Sequence, residues 1–308
     1  MKVLITGATG LIGSKLTDLC LERKISVNYL TTSKDKIENK SNYKGYYWNA
    51  KTKEIDEEAF EGVDTIVHLA GATISKRWTD SYKKDIMESR THTANLIFDT
   101  LKKIDHSIGH FVSASGISIY PNSKTKLYTE ESKEVDDTFL AEVVVAWEAA
   151  ADQFKTLSME VSKIRTGVVL SKKDGALEKF VQPVKAGFGA PLGTGKQWLS
   201  WIHVDDLANI YLETIEKEWE GTYNAVAPNP VTNKKMIQKI ADKLDKTLWL
   251  PDIPGFVLKL VLGEMAVLVL EGQLVSSSKL EKNGFKYSFH NIENALDNLF
   301  KRKGIIEN

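Results

Sequence analysis

The chain has 308 residues, 42% of them hydrophobic and 27% charged, with 41 basic residues against 41 acidic ones. That composition suits a globular α/β core and excludes a nucleic-acid binder, which needs a basic excess on one face. The single cysteine, Cys20, excludes an intramolecular disulfide, and no signal-like leader precedes the first strand, so a reducing cytoplasmic setting is expected.

Taken in order, "KVLIT" is a short apolar strand that ends at a glycine turn. "LIGSKLTDLCLERK" then carries helical spacing at Leu11, Ile12, Leu16, Leu19 and Cys20, which makes Cys20 a core thiol. "ISVNYLT", "DTIVHLA" and "GHFVSAS" read as strands, with a long helix from about Thr79 to Ile104 between the last two. The helix "TFLAEVVVAWEAAADQF" is apolar on more than one side. One side would face a sheet, the other a partner subunit in a homodimer or the C-terminal part of the same chain. "EVSKIRTGVVL" gives a further strand. Strands alternating with helices predict a Rossmann-type, doubly wound parallel sheet covered on both faces.

Past Leu170 the texture changes. "VKAGFGAPLGTGKQWLSW" has the glycines and aromatics of a loop that folds over a ligand. "TYNAVAP" predicts a late strand, Thr232 to Lys243 a helix, and the rest is mostly helical. The most apolar window, 256–270, contains Lys259, Gly263 and Glu264 and is too short to span a bilayer, so a buried helix is expected and no membrane partner. The expected organisation is a dinucleotide-binding domain over 1–170, rejoined by 200–226. A smaller, mostly helical substrate-side region over 171–199 and 227–308 would pack on it.

"TGATGLIG" places Gly7, Gly10 and Gly13 between strand and helix. The first permits a tight turn, the second lets backbone approach a pyrophosphate, and the third lets helix and strand pack closely. At the end of the second strand, Thr31, Thr32, Ser33 and Lys34 come before Asp35. Hydroxyls and a lysine suit a 2′-phosphate better than a bare diol, which favours NADP(H) over NAD(H). The six histidines are scattered and no Cys/His cluster has ligand spacing, so no metal is expected. The absence of a Gly-x-Ser-x-Gly elbow argues against an ordinary serine hydrolase.

The glycine spacing, "VHLAGA" at 67–72 and "VSASGISIY" at 112–120 resemble the extended short-chain dehydrogenase/reductases. "LAGATISKRW", "RTGVVLS", "LGTGKQWLSWIHVDDLA" and "GEMAVLVLEGQLV" followed by "KLEKNGF" narrow the match. Together they look like the YfcH-like epimerase family, an atypical branch with a DUF1731-type C-terminal module. The resemblance covers essentially the whole chain and implies NAD(P) binding and an epimerase, reductase or dehydratase-like fold. Carried over by position, Gly7, Ala8, Thr9, Gly10, Leu11, Ile12 and Gly13 would hold the pyrophosphate. Leu69, Ala70 and Gly71 would line the adenosine and ribose side. Many family members keep an arginine at the place of Thr32; here Lys34 is the nearby cation.

Typical members of that superfamily place a tyrosine and, four residues on, a lysine on one helix face for proton transfer. Counted back from Trp147 and Glu148, those positions hold Leu140 and Val144, which move no proton. Three readings follow. In the first, chemistry is carried by other residues: Ser113 and Ser115 at a strand end, with Ser115 matching the catalytic serine or threonine, then Tyr120 as a proton donor, and Arg165. Arg165 would bind an anionic substrate or pair with Asp205 or Asp206, the latter two being candidate helix caps. Lys196, Trp198 and His203 would contact a small polar substrate, such as a sugar nucleotide. Alternatively, the protein is a non-catalytic NADP(H)-binding regulator or scaffold, or water supplies the proton for hydride transfer.

Overall fold

A computed structural model describes residues 1–300. They divide into two units, one from Met1–Ile119, Asp136–Arg165 and Leu207–Tyr223, the other from Tyr120–Val135, Thr166–Asp206 and the residues from Asn224 on.

The first unit is built on strands β1 (Lys2–Thr6), β2 (Ser26–Thr31), β3 (Asn39–Lys40), β4 (Tyr43–Asn49), β5 (Glu54–Ile55), β6 (Thr65–His68) and β7 (His110–Gly116). The sheet is completed by β9 (Glu160–Thr166) and β13 (Gly221–Ala225), giving the order β13-β9-β7-β6-β1-β2-β4-β3 with β5 paired to β4. β1 is parallel to both β2 and β6, and the β2–β4 and β6–β7 pairs are parallel as well. Both faces of these strands are covered, so they read as unbroken apolar runs: Val3, Leu4, Ile5, Ile66 and Val67 are all sealed from solvent. From β1 the chain winds out through β2 and β4, then returns to β6 on the other flank of β1. That reversal opens a crevice at the carboxyl ends of β1 and β6.

The covering helices start where the chemistry of capping predicts. Helix α1 (Leu11–Glu22) buries Leu16 and Cys20. Burial, with Glu216 adding to it, pushes the Cys20 thiol up to about 12, so it stays an inert thiol. Helix α2 (Asp80–Leu101) is capped by Thr79, whose side chain accepts from Tyr82 N–H at 3.2 Å. Helix α3 (Phe139–Asp152) is capped by Thr138 through Ala141 N–H. It packs on α2 and β7, and beneath it Phe154 stacks on Phe111 at 3.7 Å between centroids.

The second unit has its own core around Leu170, Trp201, Met236 and Leu296. Its strands are β8 (Leu127–Tyr128), β10 (Val168–Leu170), β11 (Trp198–Leu199), β12 (Trp201–His203), β14 (Val231–Thr232) and β15 (Leu274–Val275). The run expected as one strand over 160–170 is two, divided at Gly167. A Cβ there would sit 2.2 Å from the Ser200 carbonyl oxygen, so only glycine lets β10 come in beside the segment holding Ser200. Helix α4 (Leu177–Lys185) was not expected; Leu177, Val181 and Val184 form its buried stripe, and Pro183 and the charged residues around it masked the spacing. Helix α5 (Val204–Glu216) and helix α6 (Asn233–Lys243) follow, the latter capped by Thr232.

The expected buried helix over 256–270 is a correction. Helix α7 (Gly255–Leu262) and the short helix α8 (Val267–Leu270) bury none of their residues, and Leu260 is 85% exposed. Gly263, with φ of 59°, breaks the run into two separate pieces. Among the described residues, no helix is long and apolar enough to cross a membrane.

Candidate functional site

The glycine turn is held from both ends of the crevice. Thr6 Oγ1, at the end of β1, accepts from the backbone N–H groups of Leu69 and Ala70 at 3.1 and 3.0 Å, tying the loop after β6 to the turn after β1. Gly7 has φ of 72°, and a Cβ on it would lie 3.1 Å from the Leu69 carbonyl. A Cβ on Gly13 would lie 2.2 Å from Gly7 O and 2.7 Å from Ala8 Cα, so α1 starts directly against the turn. Gly10 caps α1 with no side chain, and the first turn carries no acidic residue. The positive end of the helix, at Leu11, Ile12 and Gly13, has no side-chain cap and no acidic residue in its own first turn, with Ala8 buried and Thr9 exposed beside it. Backbone of this shape fits the diphosphate of a dinucleotide.

At the end of β2, Thr31 Oγ1 accepts from Ser33 N–H at 3.2 Å and turns the chain outward. Thr32 and Lys34 are exposed, and the Lys34 ammonium lies 4.8 Å from the Tyr47 ring centroid. No carboxylate stands between the end of β2 and Lys34.

At the end of β7 the structure brings two predicted residues together through a third, Glu148. Ser115 Oγ donates to Glu148 Oε1 at 2.6 Å. Arg165 grips the same carboxylate with two bonds, Nε to Oε1 at 2.7 Å and a terminal nitrogen to Oε2 at 2.9 Å. Arg165, expected to bind an anionic substrate or to pair with Asp205 or Asp206, holds the carboxylate of Glu148 on α3. Lys163 Nζ lies 3.8 Å from Glu148 and 2.8 Å from Asp152, so acids and bases alternate across α3 and β9. Burial alone would raise the Glu148 carboxyl. The bonds from Arg165 and Ser115 and the charge of Lys163 outweigh it and hold the group below the ordinary carboxylate range. Ser113 turns its hydroxyl to the Ala114 carbonyl. Leu140 and Val144 are buried, and Val144 Cγ2 lies 3.4 Å from where a Cβ on Gly116 would fall.

The remaining predicted residues belong to the second unit. The Tyr120 hydroxyl, fully buried, donates to Asn224 Oδ1 at 2.9 Å, and its ring stacks on Tyr128. Trp198 Nε1 donates to the Lys124 carbonyl at 2.9 Å, whereas Lys196 is exposed. His203 is buried and stacked on Phe289, and its Nδ1 accepts from Asp205 N–H at 3.1 Å. Asp206 accepts from the backbone N–H groups of Ser288 and Phe289, so it fastens the chain's C-terminal part where a helix cap was expected. The glycine-rich loop is braced likewise. Gln197 donates to the carbonyls of Leu192 and Val269, and Gly272 lies so close to the Trp198 backbone that a Cβ would fall 2.1 Å from its oxygen. Among the described residues no group of three or more His, Cys, Asp or Glu side chains is arranged to hold a metal ion.

Comparison with known proteins agrees with this geometry. Residues 3–225 match the NAD dependent epimerase/dehydratase family, and residues 253–299 match a domain of unknown function, DUF1731. An epimerase family protein of Staphylococcus epidermidis is 35% identical over 303 residues, covering 97% of this chain and 99% of that protein. The chloroplastic SDR39U1 homolog of Arabidopsis thaliana is 36% identical over 300 residues, covering 96% of this chain and 86% of its own. The crystal structure of human epimerase family protein SDR39U1, solved with NADPH, superposes with a TM-score of 0.82 at 30% identity, over 97% of this chain and 99% of that one. The glycine turn at the reversal of strand order, the fold around it and the matched C-terminal module all say the same thing: the chain belongs to the NAD dependent epimerase/dehydratase family, in its SDR39U1-like branch.

Proposed function

We propose that the protein binds NADP(H) at the glycine turn and acts as an epimerase- or reductase-type enzyme on a small polar molecule, with Ser115, held by Glu148 and Arg165, orienting the substrate oxygen and water exchanging the proton that a tyrosine–lysine pair would otherwise handle. The observation that carries the reading is the hydrogen bond from Ser115 Oγ to Glu148 Oε1. Because the hydroxyl proton points at a carboxylate locked by Arg165, the lone pairs of Oγ are left to accept from a substrate hydroxyl. The set therefore fixes one acceptor at a strand end and keeps it from rotating, which is how a reacting carbon is aimed. The dinucleotide supplies the hydride chemistry when bound. The open head of α1 and the Lys34 side chain support NADP(H), as does the NADPH carried by the human relative.

Calorimetric titration with NADPH, NADP⁺, NADH and NAD⁺, together with absorbance at 340 nm on a panel of sugar nucleotides, quinones and aldehydes, tests this. NADPH is expected to bind more tightly than NADH. Ser115→Ala is expected to lower turnover about tenfold while leaving NADPH affinity unchanged, the value of one hydrogen bond to an oriented acceptor. Full rate in that variant rejects the role given to Ser115.

A further inference from the structure

Helix α2 carries a cation that no carboxylate among the described residues pairs with. Arg90 lies on its inner side, half-buried, with its guanidinium carbon 4.8 Å from the ring centroid of Trp147 on α3. One terminal nitrogen donates to the Ile86 carbonyl at 2.9 Å and the other to the Ala72 carbonyl at 3.2 Å. Among the described residues, no carboxylate pairs with it. A guanidinium has five N–H donors, and these bonds account for two of them. Burial draws its pKa down to about 10, which still leaves it charged at neutral pH.

An arginine kept only to pin the loop after β6 is a poor explanation. Ala72 N–H is already bound by Ser89 Oγ at 2.8 Å, and a neutral carbonyl needs no full charge facing it. Removing a cation from water with no counter-charge is unfavourable unless an anion arrives. The position says which one. In the sheet order β7-β6-β1-β2, a dinucleotide lying across the glycine turn puts its 2′-phosphate half over β2, where Thr32 and Lys34 are. Its other half must then lie on the side of β6 and β7. Arg90 stands on that side: it follows β6, and the stack on Trp147 ties it to the helix that follows β7. Its guanidinium carbon lies 3.1 Å from where a Cβ on Gly71 would be, so glycine is what lets it reach the loop edge. Trp147 is also one turn from Val144, the position where a lysine is missing.

We propose that Arg90 is a cofactor-binding residue, donating to the nicotinamide-side phosphate and ribose of bound NADP(H) and supplying there the positive charge that Val144 does not. The inference rests on the NADP(H) reading given above. Trp147 and the Ala72 carbonyl hold the guanidinium plane in advance, so little side-chain freedom is lost on binding.

The test is a pair of equilibrium titrations, with NADPH and with adenosine 2′,5′-bisphosphate, which lacks the second phosphate and its ribose. Arg90→Met is expected to weaken NADPH binding about tenfold and to leave adenosine 2′,5′-bisphosphate within twofold of the unmodified protein. Arg90→Gln, which keeps a donor for the Ala72 carbonyl, carries the same expectation if the methionine variant does not fold by circular dichroism. Equal losses for both ligands would make Arg90 a prop for the loop and overturn the proposal; no loss for NADPH overturns it too. An unmodified protein that binds neither ligand instead rejects the NADP(H) reading itself, before any Arg90 variant is compared.

Discussion

Replacing Arg165 with methionine is expected to destabilise the protein by about 3 kcal/mol, at the lower end of the 3–5 kcal/mol measured when one partner of a buried pair is removed. Glu148 is 8% exposed and takes two of its hydrogen bonds from Arg165, so the variant leaves a carboxylate in a near-dry site. Lys163, 3.8 Å away, remains to compensate in part, which is why the lower figure is chosen. The pH dependence follows from the sign of the shift. Glu148 is held below its ordinary value of 4.5, so it gives up a proton more readily in the folded chain than in the unfolded one. Its contribution is complete above that value and is lost as pH falls through the lower folded value. In Arg165→Met the carboxyl is no longer held down, and protonating it relieves the strain of an unpaired charge. Urea unfolding at pH 7 and at pH 4 should therefore show the gap between the two proteins narrowing at the lower pH. Glu148→Gln combined with Arg165→Met should cost less than the sum of the single changes, because the orphaned charge is gone. A loss below about 1 kcal/mol at pH 7 means the pair is a surface-like bridge, and the argument for a locked Ser115 falls with it.

The parts of this molecule that could be read from its sequence are those specified locally. β1, the glycine turn and α1 follow one another within 22 residues, and each is set by spacing that neighbours alone determine. Thr79, Thr138 and Thr232 begin helices because a hydroxyl satisfies a bare N–H a few residues on, again a local matter. The Ser115–Glu148–Arg165 set was harder, since it joins positions 33 and 17 residues apart. The signal was there in retrospect: a glutamate inside "VVVAWEAAA" sits on a helix otherwise apolar, and such a residue needs a cation from elsewhere. Arg90 gave no such sign, because α2 is rich in polar residues and one more arginine looks solvated. Residues 256–270 misled in the opposite direction. Hydropathy measures what a segment would gain by burial, not whether a break such as Gly263 lets it turn a face inward.

Gly13→Ala is expected to weaken NADPH binding by about 100-fold, or about 2.7 kcal/mol. The added methyl carbon would start 2.2 Å from Gly7 O and 2.7 Å from Ala8 Cα, and both are backbone atoms with no rotamer to escape through. The strain can be relieved only by moving the head of α1 away from the turn after β1. That motion lengthens every backbone N–H contact to a diphosphate lying across the two, and the helix-end charge acts only at short range. A control separates this from the general cost of changing a glycine. Gly62 has φ of 64° and only the Lys2 ammonium near its Cβ position, at 3.4 Å, so Gly62→Ala imposes backbone strain without closing any gap in the turn. It should cost on the order of 1 kcal/mol in stability and leave NADPH affinity where it was. Both variants are to be compared by urea unfolding and by NADPH titration on protein shown to be folded. If Gly13→Ala folds and keeps its affinity, the close approach of helix and turn is a packing feature alone, and the dinucleotide must be sought elsewhere in the chain.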